Sequence, residues 1–248
     1  MFLNLTHRRR EDEWMDRPSA TAEELAQSLR YIRRINSLFG YTRVTVGYFK
    51  RFSAGWKRGE LIRILDLATG SADVPHAILR WANRAGFDVR IVGLDLHPAT
   101  AAIASRQKHD RLTIIRGDAM LAPFEAGSFD YVMTNMFLHH LDEDRVVRVL
   151  SEMSRIARRG IVAADLIRGE RAYAWIWLFT TLASPMVRHD ARASVAQAFT
   201  LNEMRELAVR AGLDFSKMTH HYGHRFVLAG EKRASISESS APEAAVRG

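Results

Sequence analysis

The chain has 248 residues, 47% apolar and 26% charged, which is enough to bury one large α/β core with elaborations. It contains no cysteine, which excludes disulfides, thiolate zinc sites and cysteine nucleophiles and fits a reducing cytoplasm. The net charge of +8 would suit an anionic partner, but the arginines are spread over polar helix positions. No aromatic-interleaved basic run, zinc-finger spacing or RNA-binding signature accompanies them, so no nucleic-acid partner is expected.

Residues 1–20 are charged and irregular, and their basic residues follow the short apolar start, the wrong order for a secretory signal. Ser19 or Thr21, followed by Glu23 and Glu24, predicts a capped helix start. Leu25, Leu29, Ile32, Ile35 and Leu38 then recur at three- and four-residue spacing until Gly40. A second helix is expected from about Thr42 to Phe52, making residues 1–58 an N-terminal helical cap with a disordered start.

Residues 59–231 alternate between strand and helix patterns. Strands are expected at Ile62–Leu67, Val89–Leu94, Leu112–Arg116, Phe129–Thr134 and Ile161–Leu166, with helices at Val74–Ala85, Pro98–Lys108 and Asp144–Ala157. That alternation predicts an α/β fold with a mainly parallel sheet and helices on both faces. An aromatic insertion, Tyr173–Val187, and a connecting segment to Thr200 form a lid at about 170–198. Its strongly apolar part, Ala172–Val187, is shorter than the ~20 residues that cross a bilayer and contains Pro185, so no transmembrane segment is expected. Thr200 caps a helix over Leu201–Ala211, and Phe215–His220 and Arg225–Glu231 read as an antiparallel hairpin. Residues 232–248 are expected to be a disordered tail.

The first chemical signal is Ile64-Leu65-Asp66-Leu67-Ala68-Thr69-Gly70-Ser71-Ala72-Asp73, a strand that ends in an acid and a turn of small residues before a helix. Ligands of open α/β sheets sit at such carboxyl ends. A pyrophosphate site would want G-x-G-x-x-G, whereas an acid at the strand end suits a cationic ammonium group. Gly93-Leu94-Asp95-Leu96-His97-Pro98 ends the next strand in an acid that can accept both hydroxyls of a ribose, or simply cap the helix at Pro98. Arg116-Gly117-Asp118-Ala119 offers a third strand-end acid and a backbone amide to an adenine edge. Ser128-Phe129-Asp130-Tyr131-Val132-Met133-Thr134-Asn135 leads into Met136–Leu141.

In this order Asp66 to Gly70, Asp95, Gly117-Asp118-Ala119, Phe129-Asp130 and Leu138-His139-His140-Leu141 resemble the class I S-adenosylmethionine-dependent methyltransferases. The nearest subgroup is that of small-molecule enzymes similar to ubiquinone/menaquinone-biosynthesis methyltransferases, and the resemblance covers roughly residues 60–231. It implies a Rossmann-like seven-stranded sheet with a C-terminal antiparallel hairpin and S-adenosyl-L-methionine as cofactor. Carried over to matching positions, Asp66, Ala68, Thr69 and Gly70 would hold the methionine part. Asp95 would bind the ribose with Leu96 against the adenine. Asp118 and Ala119 would read the adenine edge, and Asn135 would line the pocket near the sulfonium. The chain departs from the family at Ala68 and Ala72, where glycines are usual.

Methyl transfer to a hydroxyl gains from alignment and from a base of pKa near 7. His139 and His140, after the fourth strand, and His189, in the lid, are the candidates, each with a packing or exposed-residue alternative. His220, His221 and His224 read as structural, and no metal is expected from Asp165, His189 and Asp190. Tyr173–Phe179 reads as a core helix or as an apolar wall for an aromatic acceptor, with Leu29–Leu38 closing the other side. The expected activity is methylation, O-methylation favoured, of a small aromatic or lipophilic hydroxylated acceptor such as a phenol, quinol or polyketide-like molecule. The expected setting is cytoplasmic, as a monomer or homodimer. Three alternatives compete. A nucleic-acid methyltransferase would carry an Asn/Asp-Pro-Pro-aromatic stretch where this chain has Thr134-Asn135-Met136-Phe137. A nicotinamide oxidoreductase would carry the glycine fingerprint. A catalytically idle cofactor-binding partner protein is the third, with the two alanines as its mark.

Overall fold

Apolar runs of strand length, each followed by a helix, build the molecule. The computed structural model describes residues 5–11, 13–14, 21–38, 40–107, 109–222 and 224–233. Its strands are β1 (Leu61–Leu67), β2 (Asp88–Asp95), β3 (Leu112–Arg116), β4 (Phe129–Asn135), β5 (Ala157–Leu166), β6 (Lys217–His221) and β7 (Arg225–Glu231). They form one seven-stranded sheet in the order β3-β2-β1-β4-β5-β7-β6. β1 to β5 pair in parallel, and β7 lies antiparallel between β5 and β6. This is the Rossmann-like sheet with a terminal antiparallel hairpin that the sequence predicts. The order reverses between β1 and β4, which opens a crevice at their carboxyl ends.

Strand residues alternate between two cores. Ile62 and Ile64 of β1, with Tyr131 and Met133 of β4, face α2 (Tyr41–Phe52) and α3 (Asp73–Ala85). Leu65 and Leu67, with Val132, face α5 (Glu143–Ile156) and α8 (Leu201–Arg210). Burial on both faces is what keeps these strands nearly continuously apolar. α1 (Ala22–Leu38) precedes the sheet and buries Leu25 and Leu29. α8 begins with a full capping box between Thr200 and Glu203.

The structure corrects three boundaries. β5 begins at Ala157, directly after α5, because Arg158 and Arg159 are strand residues whose guanidinium groups pair with Asp130 and Glu60. Gly160 is needed there: a Cβ would lie 2.4 Å from the Gly230 carbonyl of β7. α4 (Pro98–Ser105) stops short of the expected end, and Gln107 turns back to donate to the Ser71 carbonyl at 3.0 Å; Lys108 lies outside the described residues. The expected connecting segment before Thr200 is helical. α6 (Glu170–Thr180) is followed by α7 (Pro185–Gln197), capped by the Ser184 hydroxyl with Pro185 in its first turn. The buried face of α7 is mainly small and polar, including Asp190, Ala193, Ser194 and Gln197, so no apolar period advertised it. No helix among the described residues is long and apolar enough to cross a membrane. The segment expected to be a disordered tail falls, beyond Arg233, outside the described residues.

Candidate active site

A cavity of about 670 Å³ opens at the carboxyl ends of β1, β2 and β4, and is closed over by α1, α6, α7 and the N-terminal segment. Asp66 and Asp95, the acids ending β1 and β2, both line it, as do Ala68, Thr69, Gly70, Leu96 and Asn135. Asp118 and Ala119 are not among the lining residues. The Asp118 carboxylate accepts from the Met120 amide at 2.8 Å, although its neighbour Arg116 is part of the wall.

The turn after β1 is strained. Ala68 and Ala72 hold φ of 55° and 58°, the left-handed region that glycine adopts without penalty. The family's glycines are therefore missing at two places where the backbone conformation still asks for them. Met136, at the end of β4 and also on the cavity wall, has φ 55°. Strain of this kind, about 1–3 kcal/mol per residue, persists where the surroundings over-determine it, as they do at ligand sites.

Asp66 is fully buried, with one carboxylate oxygen accepting from the Thr69 hydroxyl at 2.7 Å and the other without a hydrogen-bond partner. Burial pushes its carboxyl up to about 8, with the hydroxyl of Thr69 opposing and Asp73 and Asp95 adding to the rise. An Asp73 carboxylate oxygen is likewise buried and unpaired, and burial raises that group too. Two orphaned acceptors beside one another are what an ammonium group with three N–H donors would satisfy. Asp95 takes the Gly70 amide at 2.9 Å on one oxygen and the His97 amide at 3.0 Å on the other. Each oxygen keeps a second lone pair for a ribose hydroxyl. The donor set thus fits the amino-acid and ribose parts of S-adenosylmethionine, which the resemblance implies.

The opposite wall is built differently. The His139 ring is buried, with Nδ1 2.7 Å from Asp165 of β5, and its backbone amide donates to the same carboxylate at 3.0 Å. Its Nε2 is 3.7 Å from Glu13, a residue with no signal in the sequence pattern. Glu13 is also buried and accepts from the Ser194 hydroxyl at 2.5 Å and the Gln197 amide at 3.0 Å. Arg8 anchors this N-terminal segment by donating to the carbonyls of His139, Leu141 and Gln197. Burial alone would lower the His139 pKa, but Asp165 and Glu13 outweigh it and hold the imidazolium up to about 10. Burial would raise Glu13, yet the two histidines and Ser194 bring it down to about 2. Asp165 is held low by His139 against its own burial. His139 is therefore a cation at neutral pH, and a poor proton acceptor.

His140 lies at the cavity wall, partly exposed, its ring 4.2 Å from that of His139 and its Nε2 4.0 Å from Glu13. His189 does not line the cavity; its ring stacks on Trp14 at 4.4 Å and Nδ1 meets Asp190 at 3.0 Å. Ligand atoms of Glu13, His139 and His140 lie within 4.8 Å of one another, a spacing that could hold a metal ion. The remaining wall includes an apolar part, Leu29, Tyr41, Leu166, Ile176, Phe179 and Val187, beside polar residues such as Ser28, Asp190 and Ser194. Of the sequence candidates, the structure brings His139, His140, Asn135 and the β1 and β2 acids into one chamber. His189 and Asp118 are not among its lining residues.

Residues 64–160 match the family model described as a methyltransferase domain. A demethylmenaquinone methyltransferase of Oceanobacillus iheyensis is 26% identical over 177 residues, 64% of this chain and 72% of the relative. One of Bacillus mycoides is 32% identical over 123 residues, 45% of this chain, and there the match spans only 50% of the relative's length. Among solved structures, the plantazolicin methyltransferase BpumL in complex with SAH superposes with a TM-score of 0.67 at 11% identity, covering 89% of this chain and 93% of that one. Human N-acetylserotonin methyltransferase in complex with SAM gives 0.60 at 14% identity, over 86% of this chain and 56% of that one. The solved structures share the fold, and the methyltransferase-domain match over residues 64–160 together with the methyltransferase relatives supports a class I S-adenosylmethionine-dependent methyltransferase.

Proposed function

We propose that the chain methylates a hydroxyl of a small aromatic or lipophilic acceptor in the cytoplasm, a phenol, quinol or polyketide-like molecule. The observation that carries this reading is the single chamber in which orphaned acids on one side face an apolar wall and a charged His139–Glu13–Asp165 network on the other. The relatives named for a quinone acceptor support the substrate class.

S-adenosylmethionine, when bound, supplies a methyl carbon on a positively charged sulfur. Asp66, Asp73 and Asp95 hold its polar ends, and Asn135, its carbonyl fixed by the Thr45 hydroxyl at 2.6 Å, lies between them and the acceptor side. The resemblance gives Asp118 and Ala119 the adenine edge, although neither lines the chamber. The apolar wall excludes water and aligns the acceptor ring, the main contribution a protein makes to this displacement. His139, already protonated, positions: it anchors Glu13 and carries its neighbour His140. We assign His140 as the base that takes the acceptor proton, because it is the histidine of the chamber wall whose side chain is partly exposed, whereas His139 is buried. We read Glu13, His139 and His140 as a proton-balanced network without metal, since a cation at His139 Nε2 must displace a tightly held proton.

Calorimetry with S-adenosylhomocysteine, followed by a methyl-transfer assay on phenolic, quinol and simple polar acceptors, tests the reading. Turnover of aromatic hydroxyl acceptors is expected. Binding of the product cofactor with transfer only to polar acceptors would overturn the acceptor class, and no binding at all would overturn the activity.

A further inference from the structure

A surface helix normally turns its large side chains inward. α6 does the reverse: it buries Ala172 and Thr180, while Trp175, Trp177, Leu178 and Phe179 are 49%, 50%, 62% and 38% exposed. Leu182, in the turn that follows, is 100% exposed. The other large exposed apolar residues of the described chain, such as Leu121 and Val209, are scattered singly. Large apolar side chains clustered on one exposed helix mark a contact with a partner or a membrane.

The pattern around it is cationic. Arg171, Trp175 and Leu178 follow one another at four- and three-residue spacing along the helix, and Leu182 stands in the turn after it. On α7 the guanidinium of Arg192 lies 5.7 Å from the Trp177 ring, and Arg188 stands one turn earlier on the same face. The chain as a whole carries +8. Exposed tryptophans and leucines with arginines on the same and the next helix suit the boundary between lipid headgroups and acyl chains. No described helix can cross a bilayer, so the contact lies on the surface. The same helix also reaches inward, for Ile176, Phe179 and Thr180 line the chamber.

We propose that this face docks on an anionic lipid bilayer. Trp177, Leu178 and Leu182 enter the headgroup boundary, and Arg171, Arg188 and Arg192 meet the phosphates. The chamber mouth is thereby held against the membrane, where an apolar acceptor would be concentrated. The docking does not depend on the assigned acceptor or on turnover.

The test is flotation of the full chain with phosphatidylcholine vesicles, with and without phosphatidylglycerol. Binding to the anionic vesicles, weakened by salt, is expected, and it should fall by about tenfold or more in the double variant Leu178→Glu, Leu182→Glu. S-adenosylhomocysteine binding, measured on the same samples, should be unchanged. If the double variant fails to fold, Leu182→Glu alone carries the test, since that side chain touches nothing it could unpack. No binding to anionic vesicles, or binding indifferent to the substitutions, overturns the proposal. A wild-type dimer that the same variant splits also overturns it, and assigns the face to a second copy of the chain.

Discussion

The two sides of the chamber solve opposite problems. The side made by β1 and β2 leaves buried acids short of donors: Asp66 and Asp73 each keep an unpaired oxygen, and the turn between them is strained. The side made by the segment after β4, by β5, α7 and the N-terminal segment holds the His139 ring between Asp165 and Glu13, with Glu13 also accepting from Ser194. Unsatisfied groups await a ligand, and satisfied ones hold a shape. Cofactor affinity and acceptor chemistry should therefore come apart under mutation.

The sharpest separation is expected at His140. His140→Ala should lower kcat by about 10²–10⁴, the usual contribution of a positioned base, while calorimetry with S-adenosylhomocysteine gives a nearly unchanged Kd. An equal loss in both would merge the two sides into one. Next is Asp165→Ala, which strips a carboxylate from a buried imidazolium and should cost about 3–5 kcal/mol of stability by denaturant unfolding.

The same network sets a pH window. The His139 pKa is raised in the fold, so its contribution is fully present below its ordinary value near 6.5 and is lost as pH climbs through about 10. Glu13 is depressed, so its contribution is present above about 4.5 and is lost as pH falls toward about 2. Stability arising from the pair should be flat between about pH 4.5 and 6.5, and a difference in thermal melts between the wild type and Glu13→Gln that changes inside that window would overturn the assignment.

On the cofactor side the effects are smaller. Asp95→Ala should weaken S-adenosylhomocysteine binding by about 1–3 kcal/mol, measured by calorimetry. Asp66, raised to about 8, is mostly protonated at neutral pH in the free protein. Its raised pKa makes folding less favourable as pH rises from about 4 to about 8, because the native state then holds a proton that the unfolded chain has released. An ammonium group placed against it should expel that proton. Cofactor binding near pH 7 should accordingly release protons, visible as a buffer-dependent heat that Asp66→Asn abolishes. The smallest effect is at the strained turn. Ala72→Gly relieves a left-handed residue but adds unfolded-state freedom, for a net gain of at most about 1 kcal/mol and a Tm rise of about 2–4 °C.

What could be read from the chain follows the same division. Asp66 and Asp95 were legible because a strand end and the turn after it are local, and the apolar run announces where the strand stops. Ala68 and Ala72 were legible as departures, but their φ values, which turn a missing glycine into strain, were not. Glu13 was invisible: it meets Ser194 across 181 positions, and no periodicity links an acidic N-terminal run to a helix of small residues. His139 looked like a base until Asp165 and Glu13 were seen to hold its proton.

By itself the sequence determined the order of strands and helices, the two-faced burial of the sheet and the acids at the ends of β1 and β2. These depend on side-chain periodicity and on neighbours within one turn of chain. Only the tertiary structure decided which histidine lines the chamber partly exposed and which lies buried, that α7 is a helix, and that α6 leaves its tryptophans half exposed. Those outcomes depend on charge balance and packing between segments far apart in the chain, energies that exist only once the segments have met.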